Sequence, residues 1–521
     1  MSRYAELSRE ELVARLAKYE AGGPSIPKAK PARPEAADQR PFNFAASATR
    51  HIAILVSYQG WPYSGLAIQP TSGYPTVEGE LLKALEKTRL IEEGTGWEGC
   101  EFGRCGRTDR GVSGEGQVLN LWVRSTRKPD DGGHDLGDAW RAPLEEKKPR
   151  VSKPQSDSPP PSPKAVAKAL KKQEKAKATT PVELNYPRLL NSVLPDAIRV
   201  LAWSPAPADF DSRFSCAHRH YKYAFHRHAR AGGPPLDLDL MTQGAQNLIG
   251  EHDFRNLCKL DGSKQIENHS RRVMKAWFVE DEQPDMIIFN LIGTAFLWHQ
   301  VRHIIAALFL VGTGVEPPSL ISDLLDVERF PGKPTYVMGN PLPLTLHECA
   351  YPVDSGLDFR YGPYDGPWQS LAGEEREAAR AQAELGRDAM ERALDQQRQE
   401  AEIRAWQTGG ALRRFRDVLG HSDHVSWNGT FYPTGAGELQ VTKHYTPVTK
   451  RPMGETPDNV NAKWREQRGV RRAEVYATKQ AAKEKAKEDK EAAKADKAAA
   501  QSAQDEACAR VAGLDLDTGS A

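Results

Sequence analysis

A single aspartate, Asp109, stands in the stretch GRCGRTDRGVSGEGQVLNLW, residues 103–122, with Arg104, Arg107 and Arg110 around it and glycines on both sides. An ionised carboxylate can act as a nucleophile or a base, and glycine lets the backbone bend so that it projects. Asp and Gly are also ordinary turn residues, so the loop alone reads equally as a surface turn before a strand. Three arginines exceed what a turn requires. They suit a loop that presents one reactive carboxylate to a polyanion.

Two other segments offer partners for such a carboxylate. In FLWHQVRHIIAALFLVG, residues 296–312, Val301, Ile304, Ile305 and Leu308 form an apolar stripe with Arg302 beside it. A partly buried arginine needs an acidic partner, and a carboxylate facing it is expected to keep a depressed pKa. His299 and His303 have the i, i+4 spacing of metal ligands, but neither an HExxH motif nor a third ligand accompanies them. In RHYKYAF, residues 219–225, alternation puts Tyr221, Tyr223 and Phe225 on one face and His220 and Lys222 on the other. A core face suits Tyr223 and Phe225. A tyrosine beside a nucleic-acid cleft can instead stack on an extruded base, worth about 1–3 kcal/mol.

These residues must be carried by regular elements. HIAILVSYQG (51–60) reads as a strand, TVEGELLKALEKTRLI (76–91) as a helix, and QVLNLWVRS (117–125) as a strand with Leu119, Leu121 and Val123 on one face. A helix and then a strand follow within 182–205, a strand within 210–228, and a helix near 237–249. Residues 271–281 and 285–296 alternate as a strand pair, and 299–314 is a strongly apolar helix ending at glycine. Strand pairs that follow each other directly predict an α+β fold of antiparallel sheet with helices on one face. Residues 7–20 read as a short amphipathic helix, 374–406 as a charged helix, and 478–500 as a Lys/Glu/Ala tract.

Composition sets the limits. The chain has 521 residues, 71 basic and 70 acidic, for a net charge of +1, so any basic footprint must be local. Mean hydropathy is −0.62, lowered by Pro-, Lys- and Ala-rich stretches that cannot build a core. Six cysteines with no CxxC predict reduced thiols. No run of about 18 apolar residues occurs, and the expectation is a soluble, intracellular protein. The predicted organisation is an N-terminal helix and linker (1–48), a first subdomain (49–126 plus 182–206) interrupted by a disordered insertion (127–181), a second subdomain (207–355), an extension (356–470) and a Lys/Ala-rich tail (471–521).

Taken together, GRCGRTDRGVSGEGQV, YQGWPYSGLAIQ, FDSRFSCAHRHYKY, GEHDFRNLC and FLWHQVRHIIAALFLVG resemble, in order, the blocks of the TruA family of tRNA pseudouridine synthases. CGRTDRGVSG, FSCAHRHYKY and HDFRNLCKLD, with HYTPVTKRPMGETPDNVNAKW further on, are most similar to the eukaryotic branch that modifies positions 38 and 39 in the anticodon stem-loop. The resemblance implies two similar ferredoxin/RRM-like subdomains sharing one continuous, mainly antiparallel sheet, with helices on one face and an RNA-binding cleft on the other. It implies Asp109 as nucleophile, Arg302 as its charge partner, Tyr221 packing on the target base, and Arg107 helping to extrude the nucleotide. Arg104, Arg110 and Lys222, with Arg213, Arg219, Arg255, Arg271 and Arg272, are expected to bind phosphates. No cofactor or metal is implied. The expected partners are tRNA and a second copy of the chain in a homodimer, in the cytoplasm and nucleus.

Overall fold

Long runs of β-branched and apolar residues make the strands, and their alternation fixes which way each faces. The computed structural model describes residues 42–69, 73–127, 137–145, 183–229, 233–363, 372–420 and 429–466. In the first half, β1 (Ala48–Tyr58) leads to helix α1 (Val77–Lys87), β2 (Gly103–Arg104), β3 (Ser113–Ser125), β4 (Trp140–Arg141), α2 (Tyr186–Asn191) and β5 (Ile198–Pro205). The α1 N-terminus is capped by Thr76, whose hydroxyl accepts from Gly79 N at 3.2 Å. In the second half, β6 (His218–His226), α3 (Leu238–Gln246), β7 (Gly250–Asp253), β8 (Ser270–Glu280), β9 (Met286–Gly293), α4 (Gln300–Gly312), α5 (Leu320–Leu325) and β10 (Leu344–Ala350) follow.

The two halves repeat one topology. Strands β5, β1, β3 and β2 lie side by side in that order, and so do β10, β6, β9 and β8. Each half is thus a βαββαβ unit with its first, second, third and fourth strands in the order 4-1-3-2, the ferredoxin-like arrangement. They join where β10 runs parallel to β3, Thr345 opposite Ser113 and Leu346 opposite Gly114. Every other pairing in the sheet is antiparallel. The seam strand β10 has no counterpart among the predicted elements.

One core packs α1 and α2 on the first half, through Ile52, Ile54, Leu81, Leu85, Leu119 and Trp203. A larger one packs α3, α4 and α5 on the second. All thirteen residues of α4 are buried, not only the predicted stripe. The extra cover comes from far along the chain. A hairpin, β11 (Thr430–Gly435) and β12 (Glu438–Thr442), packs on α4, and buried Glu316 accepts from Tyr445 Oη and Val448 N, each at 2.6 Å. The 47-residue helix α6 (Gly373–Leu419) buries no residue and touches the first half through Gln397, which bonds Gln59 and Asp196. A short helix, α7 (Pro457–Trp464), completes the described chain.

The expected disordered insertion needs correction at one place. Within 127–181, residues 127 and 137–145 are described, and β4 extends the sheet on β1. Arg141 stacks 3.5 Å above Trp122 and forms an ion pair with Glu101 at 2.7 Å, which gives this short strand a fixed seat. The expected helix at 7–20 and the 478–500 tract lie outside the described residues.

Candidate active site

The Asp109 loop joins β2 to β3 and is fastened at nearly every residue. Gln117 brackets Gly106, donating to its carbonyl at 2.7 Å and accepting from its N–H at 3.4 Å. Thr108 Oγ1 bonds Tyr58 Oη at 2.8 Å, and its carbonyl accepts from Leu66 N at 3.2 Å. Val112 N closes the turn onto Asp109 O at 3.1 Å. The segment beneath must be glycine twice over. A Cβ on Gly60 would lie 1.9 Å from Val112 O, and one on Gly65, at φ +99°, 2.9 Å from Thr108 O. The YQGWPYSG stretch is therefore the floor on which the loop rests.

Opposite stands the entry to α4. His299 caps that helix in a left-handed conformation, φ 60°, which is uncommon for a non-glycine residue and costs energy that the surroundings must supply. Its Nε2 lies 3.6 Å from Asp109 Oδ2. Arg302, one turn on, acts on Asp109 through space, but the two make no ion pair within 4 Å; the arginine Nε donates to Gly339 O at 2.8 Å, while Gly339 N donates back to Arg302 O at 3.0 Å. Tyr221 lies half-buried on β6, edge-on to Phe296 with centroids 5.2 Å apart. It shares its side of β6 with Tyr223 and Phe225, which pack on Phe309 of α4, so Tyr221 lies on the helix-covered side of the strand.

The electrostatics revise one expectation. Burial raises the Asp109 pKa instead of leaving it depressed, because loss of water outweighs the opposing pull of Arg302, the Trp298 indole, Lys264 and Lys259. The charged groups that act most strongly on it are all cations. His299 is pushed down to about 4 by burial, then by Arg302 and the nearby lysines, so its imidazole is neutral at physiological pH. His303 is pushed down to about 2, chiefly by burial, and its Nε2 contacts the Lys333 ammonium at 3.2 Å. Neither histidine joins a third ligand among the described residues. Burial also holds the Tyr221 phenol protonated well above its usual range. It can donate a hydrogen bond, whereas a phenolate base is ruled out near neutrality.

The arginines separate into distinct roles. Arg107 and Arg110 are exposed, the latter over the Tyr74 ring at 5.5 Å. Arg104 instead pairs with buried Glu78 at 2.8 Å. Arg219 is committed to four backbone carbonyls, of Cys105, Arg213, Cys216 and Thr294, and ties the Asp109 loop to the α4 entry. Arg255 pairs with Asp253 at 2.6 Å, and Arg271 donates to Asn268 O and Ser270 O. Lys222 points to the opposite side of β6 from Tyr221. The site thus gathers Asp109, Tyr221 and Arg302 and leaves Arg104 and Lys222 apart. Sequence reasoning missed Lys259, Lys264 and Trp298, and saw His299 only as a metal candidate.

Residues 245–352 match the model of a family described as tRNA pseudouridine synthase. The chain is 32% identical over 425 residues to the tRNA pseudouridine(38/39) synthase of Saccharomyces cerevisiae, covering 81% of this chain and 79% of that protein. This chain belongs to the tRNA pseudouridine synthase family. It is also 36% identical over 328 residues to the Homo sapiens protein of the same name, of which it spans 58%. With tRNA pseudouridine synthase A of Methanothrix thermoacetophila it shares 27% identity over 286 residues. For a family whose reaction acts on an RNA nucleotide, a lone carboxylate among cations is a fitting centre: the cations attract the phosphates and leave one anion to meet the nucleoside. An isomerase acting on tRNA is the activity the family carries.

Proposed function

We propose that this enzyme converts uridine to pseudouridine at positions 38 and 39 of the tRNA anticodon stem-loop, with Asp109 as the nucleophile. The reaction breaks the bond from ribose C1′ to N1 of uracil and makes one to C5. The C5 proton leaves and N1 gains one, so product and substrate are isomers and no co-reactant is needed. An ionised Asp109 serves as nucleophile at the ribose or at the pyrimidine ring. Tyr221 packs on the base and donates a hydrogen bond, Arg302 stabilises the carboxylate through space, and Arg107 helps the nucleotide leave its stack, a step costing a few kcal/mol. The observation that carries the reading is a partly exposed carboxylate, 24% accessible, surrounded by cations on a loop hydrogen-bonded to Tyr58, Leu66 and Gln117.

The specificity for 38 and 39 follows the names of the yeast and human relatives. We further propose a homodimer that works in cytoplasm and nucleus. Carbodiimide mapping of unmodified tRNA treated with the purified enzyme is the test. Pseudouridine should appear at 38 and 39 with wild type and be absent with Asp109→Asn, and equal product from that variant would remove Asp109 from the mechanism. Sedimentation of the purified chain and fractionation of cells test the dimer and the location.

A further inference from the structure

Next to the Trp298 indole, which bonds Asp109, lies a shallow hollow whose walls include Lys259, Lys264, Ile266, Trp298, Pro457 and Asn461. Both ammonium groups sit over one face system, the half-buried Trp298 ring, Lys259 Nζ at 4.6 Å and Lys264 Nζ at 5.0 Å from its centroid. Both side chains are otherwise exposed. Two carboxylates act on them: Asp261, which reaches Lys264 at 3.7 Å, and Asp109, on which both lysines act through space. Two like charges held against one ring repel each other, and Asp109, paired within 4 Å only with His299 among the described residues, makes no direct contact with either to offset them. Such a pair is relieved by an anion between them, and the indole offers a stacking surface beside it.

The geometry is built from several parts of the chain. Lys259 N donates to Trp298 O at 2.9 Å, which locks this lysine to the α4 entry next to His299. Lys264 rides on a short turn that α7 clamps: Gln265 Nε2 donates to Asn461 O at 3.2 Å and Asn461 Nδ2 to Ile266 O at 3.0 Å. Gly262 meets α7 so closely that a Cβ would lie 2.7 Å from Val460 O and 2.8 Å from Trp464 Cβ.

We propose that Lys259, Lys264 and Trp298 form a subsite for the backbone phosphate and stacked base of a nucleotide adjacent to the target uridine, and that α7 positions it. This rests on the tRNA-modifying reading of the site. It makes the C-terminal segment a determinant of substrate grip, reaching the reaction centre through Lys264 and Trp298. The subsite acts on binding, and Asp109 acts on chemistry.

The experiment is steady-state kinetics on unmodified tRNA over a salt series, with Lys259→Ala/Lys264→Ala, the charge-keeping Lys259→Arg/Lys264→Arg, and Asn461→Ala. Removing one or two phosphate contacts should raise KM about tenfold and make the slope of log kcat/KM against log salt shallower by about 0.7 to 1.8. The arginine pair should restore KM and slope. Asn461→Ala should show a smaller change of the same kind, with a lowered Tm from the lost buried hydrogen bond. A double-alanine variant with wild-type KM and salt slope overturns the subsite, as does a KM change that arginines leave unrepaired. A wild-type chain that makes no pseudouridine on any tRNA overturns instead the function on which the subsite rests.

Discussion

The two halves of the sheet share a strand order and differ in what their connections carry. In the first half the link from second to third strand is the Asp109 loop, Cys105–Val112. In the second half the matching link is Asp281–Asp285, a turn whose Asp285 meets His228 at 2.6 Å. The link from third strand to second helix reverses the contrast. In the second half it is the six residues Thr294–His299, which deliver Trp298 and His299 to the carboxylate; in the first half it spans residues 126–185 and carries β4 to the sheet edge. One topology, used twice, supplies an anion from one side and cations from the other. Loops supply Asp109, Trp298 and His299, while the repeated frame itself supplies Tyr221 from β6 and Arg302 from α4.

Substitutions can break that division. The largest effect is expected from Asp109→Asn, which should lower kcat/KM by at least about 10³-fold while Tm at pH 7 rises. Burial raises the Asp109 pKa, so its ionised form is a cost to the fold above that pKa, one that vanishes below the unfolded value near 3.9. The gain in Tm should shrink as pH falls towards 4, and a Tm below wild type at pH 7 would contradict the assignment. Arg302→Met comes next, with a loss of about 10²-fold in rate. Without the guanidinium the Asp109 pKa climbs further, so the acid limb of the kcat/KM profile should move to higher pH; an unmoved limb would separate the two residues.

Stability effects follow. Arg104→Ala leaves Glu78, 1% exposed, without its cation, and should cost about 3 kcal/mol in denaturant unfolding, with KM for tRNA nearly unchanged. A KM effect without destabilisation would return Arg104 to the RNA. At pH 7 the smallest effect is expected from His303→Asn. In the folded state His303 stays neutral down to about 2, whereas the unfolded chain takes up a proton near 6.5, so stability falls with pH below 6.5 by about 1.4 kcal/mol per unit from this group. The variant, which keeps an acceptor for Lys333, should flatten the fall of Tm between pH 6.5 and 4.

By itself the sequence determined what is local. The strands at 48–58, 218–226, 270–280 and 286–293, the helices after Thr76 and His299, and the motif that singles out Asp109 were all legible, because side-chain period, caps and glycine placement act over a few residues. The seam strand β10 was not, since LTLHECA mixes polar and apolar residues and gains its place only from Ser113 on one edge and β6 on the other. The arginines show the same limit. GRCGRTDRG cannot reveal that Arg104 turns to Glu78 while Arg107 faces solvent, nor RHYKY that Arg219 holds four carbonyls. Tertiary structure alone decided those partners, the cover over α4, the clamp of α7 on the Lys264 turn, and the sign of the Asp109 pKa shift. Each depends on which distant residues exclude water and which charges they bring, and burial and Coulomb interaction are properties of the packed chain.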